Sequence, residues 1–194
     1  MWIKICGMTS AEAVTAALEA RADAIGFVFA PSVRQVDIAQ AVSLAAPARG
    51  QVALVAVALH PSQDQVDQML GAFKPDLLQT DAADFERLRL PAQLGTLAVV
   101  RAVTWKDQKL PTRFLFEGAR SGSGELSDWS AAASLARSHE LILAGGLNPQ
   151  NVAAAIEAVA PFGVDVSSGV EAAPGRKSVQ KIAEFVAAAR AARM

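Results

Sequence analysis

The sequence is poor in the residues that most often announce a chemistry. It has one cysteine, Cys6, no tyrosine and two histidines among 194 residues. A single cysteine excludes an intrachain disulfide framework. His60 and His139 stand far outside any metal-ligand spacing and read as ordinary surface or loop residues. An excess of either charge is missing too: 18 Lys+Arg face 19 Asp+Glu, for a formal net charge of -1. A nucleic-acid or anionic-membrane partner needs a basic surplus that this composition lacks. No apolar run approaches the ~20 residues of a membrane span. The N-terminal MWIKICGM is broken too early, at Gly7, for a secretory signal. Trp2, Trp105 and Trp129 are isolated and read as packing residues. The expectation is a soluble, cytoplasmic protein.

What the chain has in quantity is apolar side chain. The hydrophobic fraction is 52% and the charged fraction 19%. That is enough burial to order the backbone, so disorder is excluded. The length suits one domain over residues 1–194.

Short apolar runs recur along the chain at 2–6, 24–29, 52–59, 76–79, 97–103, 113–117, 140–145 and 163–168. Most are four to eight residues long and apolar nearly throughout, as strands covered on both faces are. Ala-rich helical stretches fall between them at 10–20, 37–46, 62–73, 128–137, 148–159 and 178–192. Ser10, Asp37, Ser62, Asp128, Asn148 and Ser178 stand as their N-caps. Residues 82–90 have room for a short helix, and 104–112 read as a loop. Eight such units imply an α/β fold: a small (β/α)₈ barrel with a degenerate helix after the fifth strand. An open doubly wound sheet is the rival, but no G-x-G-x-x-G follows the first strand.

In a barrel, chemistry collects at the C-terminal ends of the strands. Those ends carry Cys6, Gln79, Arg101, Glu117, Gly145-Gly146 and Ser167-Ser168-Gly169. The runs AGGLNPQN and SSGVEAAPG follow strands 7 and 8, where barrels hold phosphate. Glycines in these loops let backbone N–H groups approach a phosphate closely. Cys6 reads either as a small buried hydrophobe or as a reactive thiol, and its place at the rim favours the thiol. Glu117 is a candidate acid, and Gln79 a candidate substrate contact. Arg34, in the loop after strand 2, could grip a carboxylate with its fork. The polar loop GARSGSGELSD at 118–128 has the composition of a loop over a site.

KICGMT (4–9), GFVFAPS (26–32), LILAGGLNPQNV (141–152) and GVDVSSGVEAAPGRK (163–177) resemble the phosphoribosylanthranilate isomerases of tryptophan biosynthesis. The resemblance covers nearly the whole chain. It implies a small (β/α)₈ barrel that needs no metal or cofactor and takes a small phosphosugar-anthranilate substrate. It also implies an Amadori rearrangement of N-(5-phosphoribosyl)anthranilate. Cys6 then matches the general base, Glu117 the general acid and Arg34 the neighbour of the anthranilate carboxylate. Asp165 matches a carboxylate lining the site, and Gly145, Gly146, Ser168 and Gly169 the phosphate loops. Three positions depart from the pattern. The acid is usually Asp, not Glu117. Ala30 stands where an aromatic is common. Gln79-Thr80-Asp81-Ala82 replaces the frequent QLHG. The alternatives are a histidine-pathway sugar-phosphate isomerase or a non-catalytic phosphosugar-binding barrel. The first would want a glycine loop after strand 3, where HPSQDQ stands.

Overall fold

The computed structural model describes residues 1–101, 105, 110–118 and 128–192. Eight strands run parallel and close on themselves: β1 (Trp2–Cys6), β2 (Ala24–Val28), β3 (Ala53–Val57), β4 (Leu77–Asp81), β5 (Gly95–Arg101), β6 (Arg113–Glu117), β7 (Glu140–Leu143) and β8 (Gly163–Val166). Closure is made by β1, which pairs Ile5 with Ile25 of β2 on one side and Trp2 with Gly163 of β8 on the other. The helices α1 (Ala11–Glu19), α2 (Ile38–Ala45), α3 (Gln63–Gln68), α4 (Trp129–Ala136), α5 (Val152–Val159) and α6 (Val179–Ala191) fall between strands or follow the last one. The arrangement is the (β/α)₈ barrel expected from the repeat of apolar runs.

Local chemistry starts most helices where the sequence indicates. Ser10, Asp128 and Ser178 accept hydrogen bonds from first-turn amides. Asp37 and Ser62 complete reciprocal capping boxes with Gln40 and Gln65. Two helices differ from expectation. Helix α3 stops at Gln68 and runs into a π turn, Met69–Phe73, which ends at Lys74 in a left-handed conformation. Helix α5 begins at Val152 rather than beside Asn148. The Asn148 side chain instead accepts from the amides of Gln150 and Asn151, closing a turn ahead of the helix.

A 3₁₀ turn, Ala82–Glu86, occupies the place of the short helix after β4. The expected loop for a degenerate helix after β5 falls mostly on 102–104 and 106–109, outside the described residues. So does most of the polar loop after β6, at 119–127. A hairpin of β9 (Glu171–Ala173) and β10 (Arg176–Lys177), not anticipated from the sequence, follows β8.

Alternation along each strand divides the core in two. Outward side chains such as Ile3, Ile5, Phe27, Phe114 and Phe116 pack under the helices. Inward ones, among them Leu97, Val99, Leu115 and Ile142, fill the barrel with Trp2, Leu77 and Phe162 packed against them. The same parity carries the inward rows of β1, β4, β5 and β6 up to Cys6, Asp81, Arg101 and Glu117 at their C-terminal ends.

Candidate active site

A cavity of about 240 Å³ opens at that end of the barrel. Cys6, Arg34, Gln79, Glu117 and Asp165 line it together, although they come from five separate segments of the chain. A larger cleft of about 640 Å³ lies around Arg21, Asp23, Asp76 and Arg190, at the start of strands rather than their ends.

Cys6 is the last residue of β1 and points inward with Lys4, two residues earlier. It is 7% exposed. Both side chains lie over Gly26 of β2. A Cβ there would sit 3.0 Å from Cys6 Sγ and 3.2 Å from Lys4 Cε, so any larger residue would crowd both. Lys4 is wholly buried, and its ammonium donates to Asp165 Oδ1 at 2.7 Å. Burial works against that ammonium, but the charges of Asp165 and Cys6 outweigh it and hold the Lys4 pKa above its ordinary value.

Burial pushes the Cys6 thiol up, and Asp165 adds to this. The Lys4 and Lys177 ammoniums oppose it. The thiol is therefore neither partly exposed nor acidified in this ligand-free arrangement. Burial is the first influence on its proton affinity, and the neighbouring charges come second.

Arg34 reaches the cavity from the loop after β2, but its fork is engaged. Nε and Nη2 donate to the two carboxylate oxygens of Glu171 at 2.6 and 3.0 Å. Lys177 joins the same carboxylate at 2.9 Å and donates to the Ser167 carbonyl at 3.0 Å. Burial depresses the Lys177 pKa, only partly offset by Glu171. Glu171 itself resists burial: hydrogen bonds from Arg34 and Lys177 hold its carboxyl below the usual range. The hairpin missed in the sequence is what delivers Glu171 and Lys177 to this spot.

Glu117 ends β6 and is 8% exposed. Its Oε1 accepts from Arg101 Nη1 at 2.7 Å, and Arg101 Nη2 donates to Asp81 at 2.7 Å. The Glu117 carboxyl thus sits against a guanidinium. Gln79 is buried, and among the described residues its Oε1 has no hydrogen-bond partner. An unmatched buried acceptor facing a cavity is suited to a donor on a bound molecule.

The glycine loops flank the cavity at the ends of β7 and β8. Gly145 and Gly146 both take positive φ, 90° and 65°. Gly169 lies so close to the first loop that a Cβ would stand 1.9 Å from the Leu147 carbonyl oxygen. Among the described residues, the Gly146 and Gly169 amides donate to no protein group. Ser167, just before this second loop, lines the cavity.

Lys4, Glu171 and Lys177 were not singled out as site residues from the sequence. The inward parity of Lys4 with Cys6 is the signal that finds the first of them.

A closed parallel barrel with its titratable groups gathered at the C-terminal mouth and glycine loops after the last two strands is the architecture of a (β/α)₈-barrel enzyme. A family profile described as N-(5'phosphoribosyl)anthranilate isomerase matches residues 3–188. The N-(5'-phosphoribosyl)anthranilate isomerase of Rhizobium johnstonii is 40% identical over 202 aligned positions, covering 94% of this chain and 91% of the relative. The crystal structure of TrpF from Jonesia denitrificans superposes with a TM-score of 0.82 at 33% identity, covering 100% of this chain and 98% of that one. An isomerase crystallised with reduced 1-(o-carboxyphenylamino)-1-deoxyribulose 5-phosphate superposes at 0.78 with 28% identity, covering 98% of this chain and 99% of the other. The chain belongs to the N-(5'-phosphoribosyl)anthranilate isomerase family.

Proposed function

We propose that this chain converts N-(5'-phosphoribosyl)anthranilate to 1-(2-carboxyphenylamino)-1-deoxyribulose 5-phosphate in tryptophan biosynthesis, with Cys6 as general base and Glu117 as general acid. Family membership supports the reaction. The observation that carries the roles is that a thiol and a carboxyl from β1 and β6 line one cavity.

Glu117 gives its proton to the furanose ring oxygen. The C1'–O bond breaks, and the nitrogen lone pair forms the C1'=N bond of a Schiff base. Cys6, in the thiolate form that the adjacent Lys4 ammonium favours against burial, then takes the C2' proton. That electron pair becomes the C1'=C2' bond and neutralises the nitrogen. The resulting enol tautomerises: C2'–OH loses its proton, C1' gains one, and the ketone forms. One acid and one base at fixed positions suffice for this sequence.

The remaining residues position the substrate. Backbone amides of Gly145, Gly146, Ser168 and Gly169 receive the phosphate. Gln79 Oε1 accepts from a substrate hydroxyl. Arg34, held by Glu171, presents its remaining terminal nitrogen to the anthranilate carboxylate. Asp165 keeps the Lys4 ammonium next to Cys6. A base that must stay a free thiol also favours the reducing cytoplasm as the site of the activity. A steady-state assay with the aminoaldose tests the proposal. Turnover by the parent, lost in both Cys6→Ser and Glu117→Gln, is expected, and a parent enzyme without turnover overturns it.

A further inference from the structure

We infer that Arg101 and Asp81 act together as positioning residues for Glu117, and that Asp81 sets how readily Glu117 holds the proton that ring opening consumes. The inference rests on Glu117 being the general acid. Three adjacent strand ends make the arrangement. The register pairs Arg101 directly with Glu117, while Asp81 ends the strand on the far side of β5. The guanidinium therefore lies between two carboxylates, Nη1 to Glu117 and Nη2 to Asp81, each at 2.7 Å.

This geometry resolves a conflict in the acid's task. Glu117 must carry a proton when the ring opens, yet a guanidinium in contact favours the ionised carboxylate. A second carboxylate on the same guanidinium offsets that bias and leaves the hydrogen bond in place. Arg101 then fixes the position of a side chain one methylene longer than Asp, without removing its proton.

Asp81 is itself braced from outside the cavity. Its Oδ2 faces His60 Nε2 at 3.6 Å, and His60 Nδ1 lies 3.1 Å from Asp84. Asp84 is further tied to Thr80 at 2.5 Å and Arg87 at 2.8 Å. His60 holds this place with φ of 46°, an uncommon conformation for a side chain of its size. A histidine that reads from the sequence as a loop residue thus stands behind the acid's partner.

Among the described residues, the charged groups that face Glu117 come from few elements. Arg101 contacts it from β5, and Asp81 acts through Arg101 from β4, with His60, Asp84 and Arg87 behind. Across the cavity stand Cys6, Arg34 and Asp165 with Lys4. The other neighbouring strand, β7, leads up to apolar Ala144.

The test is the pH profile of kcat for Asp81→Asn and Asp81→Glu beside Glu117→Gln. Asp81→Asn keeps the shape and removes the charge. One limb of the profile should move to lower pH by about one unit, a tenfold change in proton affinity, with the other limb fixed and KM within about twofold. Asp81→Glu should return the limb toward its original place. Should the Asn variant not fold, Asp81→Ser removes the same charge and should move the same limb. A kcat that falls equally at every pH, with both limbs in place, overturns the inference and leaves Asp81 a structural residue. Parent-level turnover in Glu117→Gln instead overturns the acid assignment itself.

Discussion

Lys4 and Asp165, 161 residues apart in the chain, meet at 2.7 Å inside the barrel, next to Cys6. The pair holds an ammonium beside the thiol that the proposed mechanism uses as base. Burial raises the Cys6 pKa, and the Lys4 ammonium is the largest influence opposing it. Because the thiol's pKa is raised, the ligand-free enzyme should hold Cys6 as the thiol at neutral pH and form the thiolate only above the free-cysteine range. Ultraviolet absorbance of the thiolate against pH reads this directly, and a midpoint below ~8.5, the free-thiol value, would contradict it.

Cys6→Ser should lower kcat by about 10²–10⁴-fold with a small change in KM, the usual cost of losing a positioned base. Gly26→Ala should lower kcat by a smaller factor, because its Cβ would crowd Sγ at 3.0 Å and displace it. Stopped assays at saturating substrate separate the two variants, and parent-level kcat in Cys6→Ser removes the thiol from the mechanism.

Glu117→Gln should abolish turnover while a reduced product analogue still binds, since the shape is kept and the transferable proton is lost. Glu117→Asp should be slower than the parent. The shorter acid draws back from both Arg101 Nη1, now at 2.7 Å, and the ring oxygen. Isothermal titration beside kinetics gives both readouts, and a Glu117→Asp variant faster than the parent would show that the backbone never adapted to Glu.

Glu171→Gln removes the counter-charge of both Arg34 and Lys177. It should raise KM and cost about 3 kcal/mol of stability at neutral pH, as breaking a buried ion pair does. The pH dependence has a definite sign. The Glu171 pKa is lowered on folding, so its contribution is complete above the unfolded value near ~4.3 and is lost as pH falls through the lower folded value. The parent should therefore lose more stability than Glu171→Gln as pH falls below about 5. Urea denaturation across that window checks it, and parallel losses would show that the carboxylate is not held by this cluster.

Gly169→Ala places a Cβ 1.9 Å from the Leu147 carbonyl oxygen and must push the two glycine loops apart. The expected outcome is a destabilisation of about 1–3 kcal/mol and a loss of competitive inhibition by inorganic phosphate. Phosphate inhibition equal to the parent's would move the phosphate site elsewhere.

Much of this was legible before any coordinates. The eight apolar runs became eight strands, and five of the six helix caps stand where the spacing of Ser and Asp puts them. Cys6, Gln79, Glu117 and Asp165 do line one cavity. At the sixth, Asn148 still accepts from the amides of Gln150 and Asn151 and its carbonyl from Val152, but these bonds close a turn and the regular helix α5 starts only at Val152. Other features were not legible because their partners are remote. Nothing near Lys4 in the chain announces Asp165. Nothing near Arg34 announces Glu171, 137 residues away, as the carboxylate that takes its fork.

The barrel, its strand parity and the motifs that mark its family follow from local order in the chain, because periodicity and turn chemistry act over a few neighbouring residues. The contacts of the site and the electrostatic surroundings of its titratable groups arise only on folding. Folding puts Lys4 wholly inside the barrel beside Cys6, fills the Arg34 fork, and sets Arg101 between Glu117 and Asp81. Burial and Coulomb interactions depend on distance in space, and barrel closure is what converts positions far apart in the chain into neighbours at 2.7 Å.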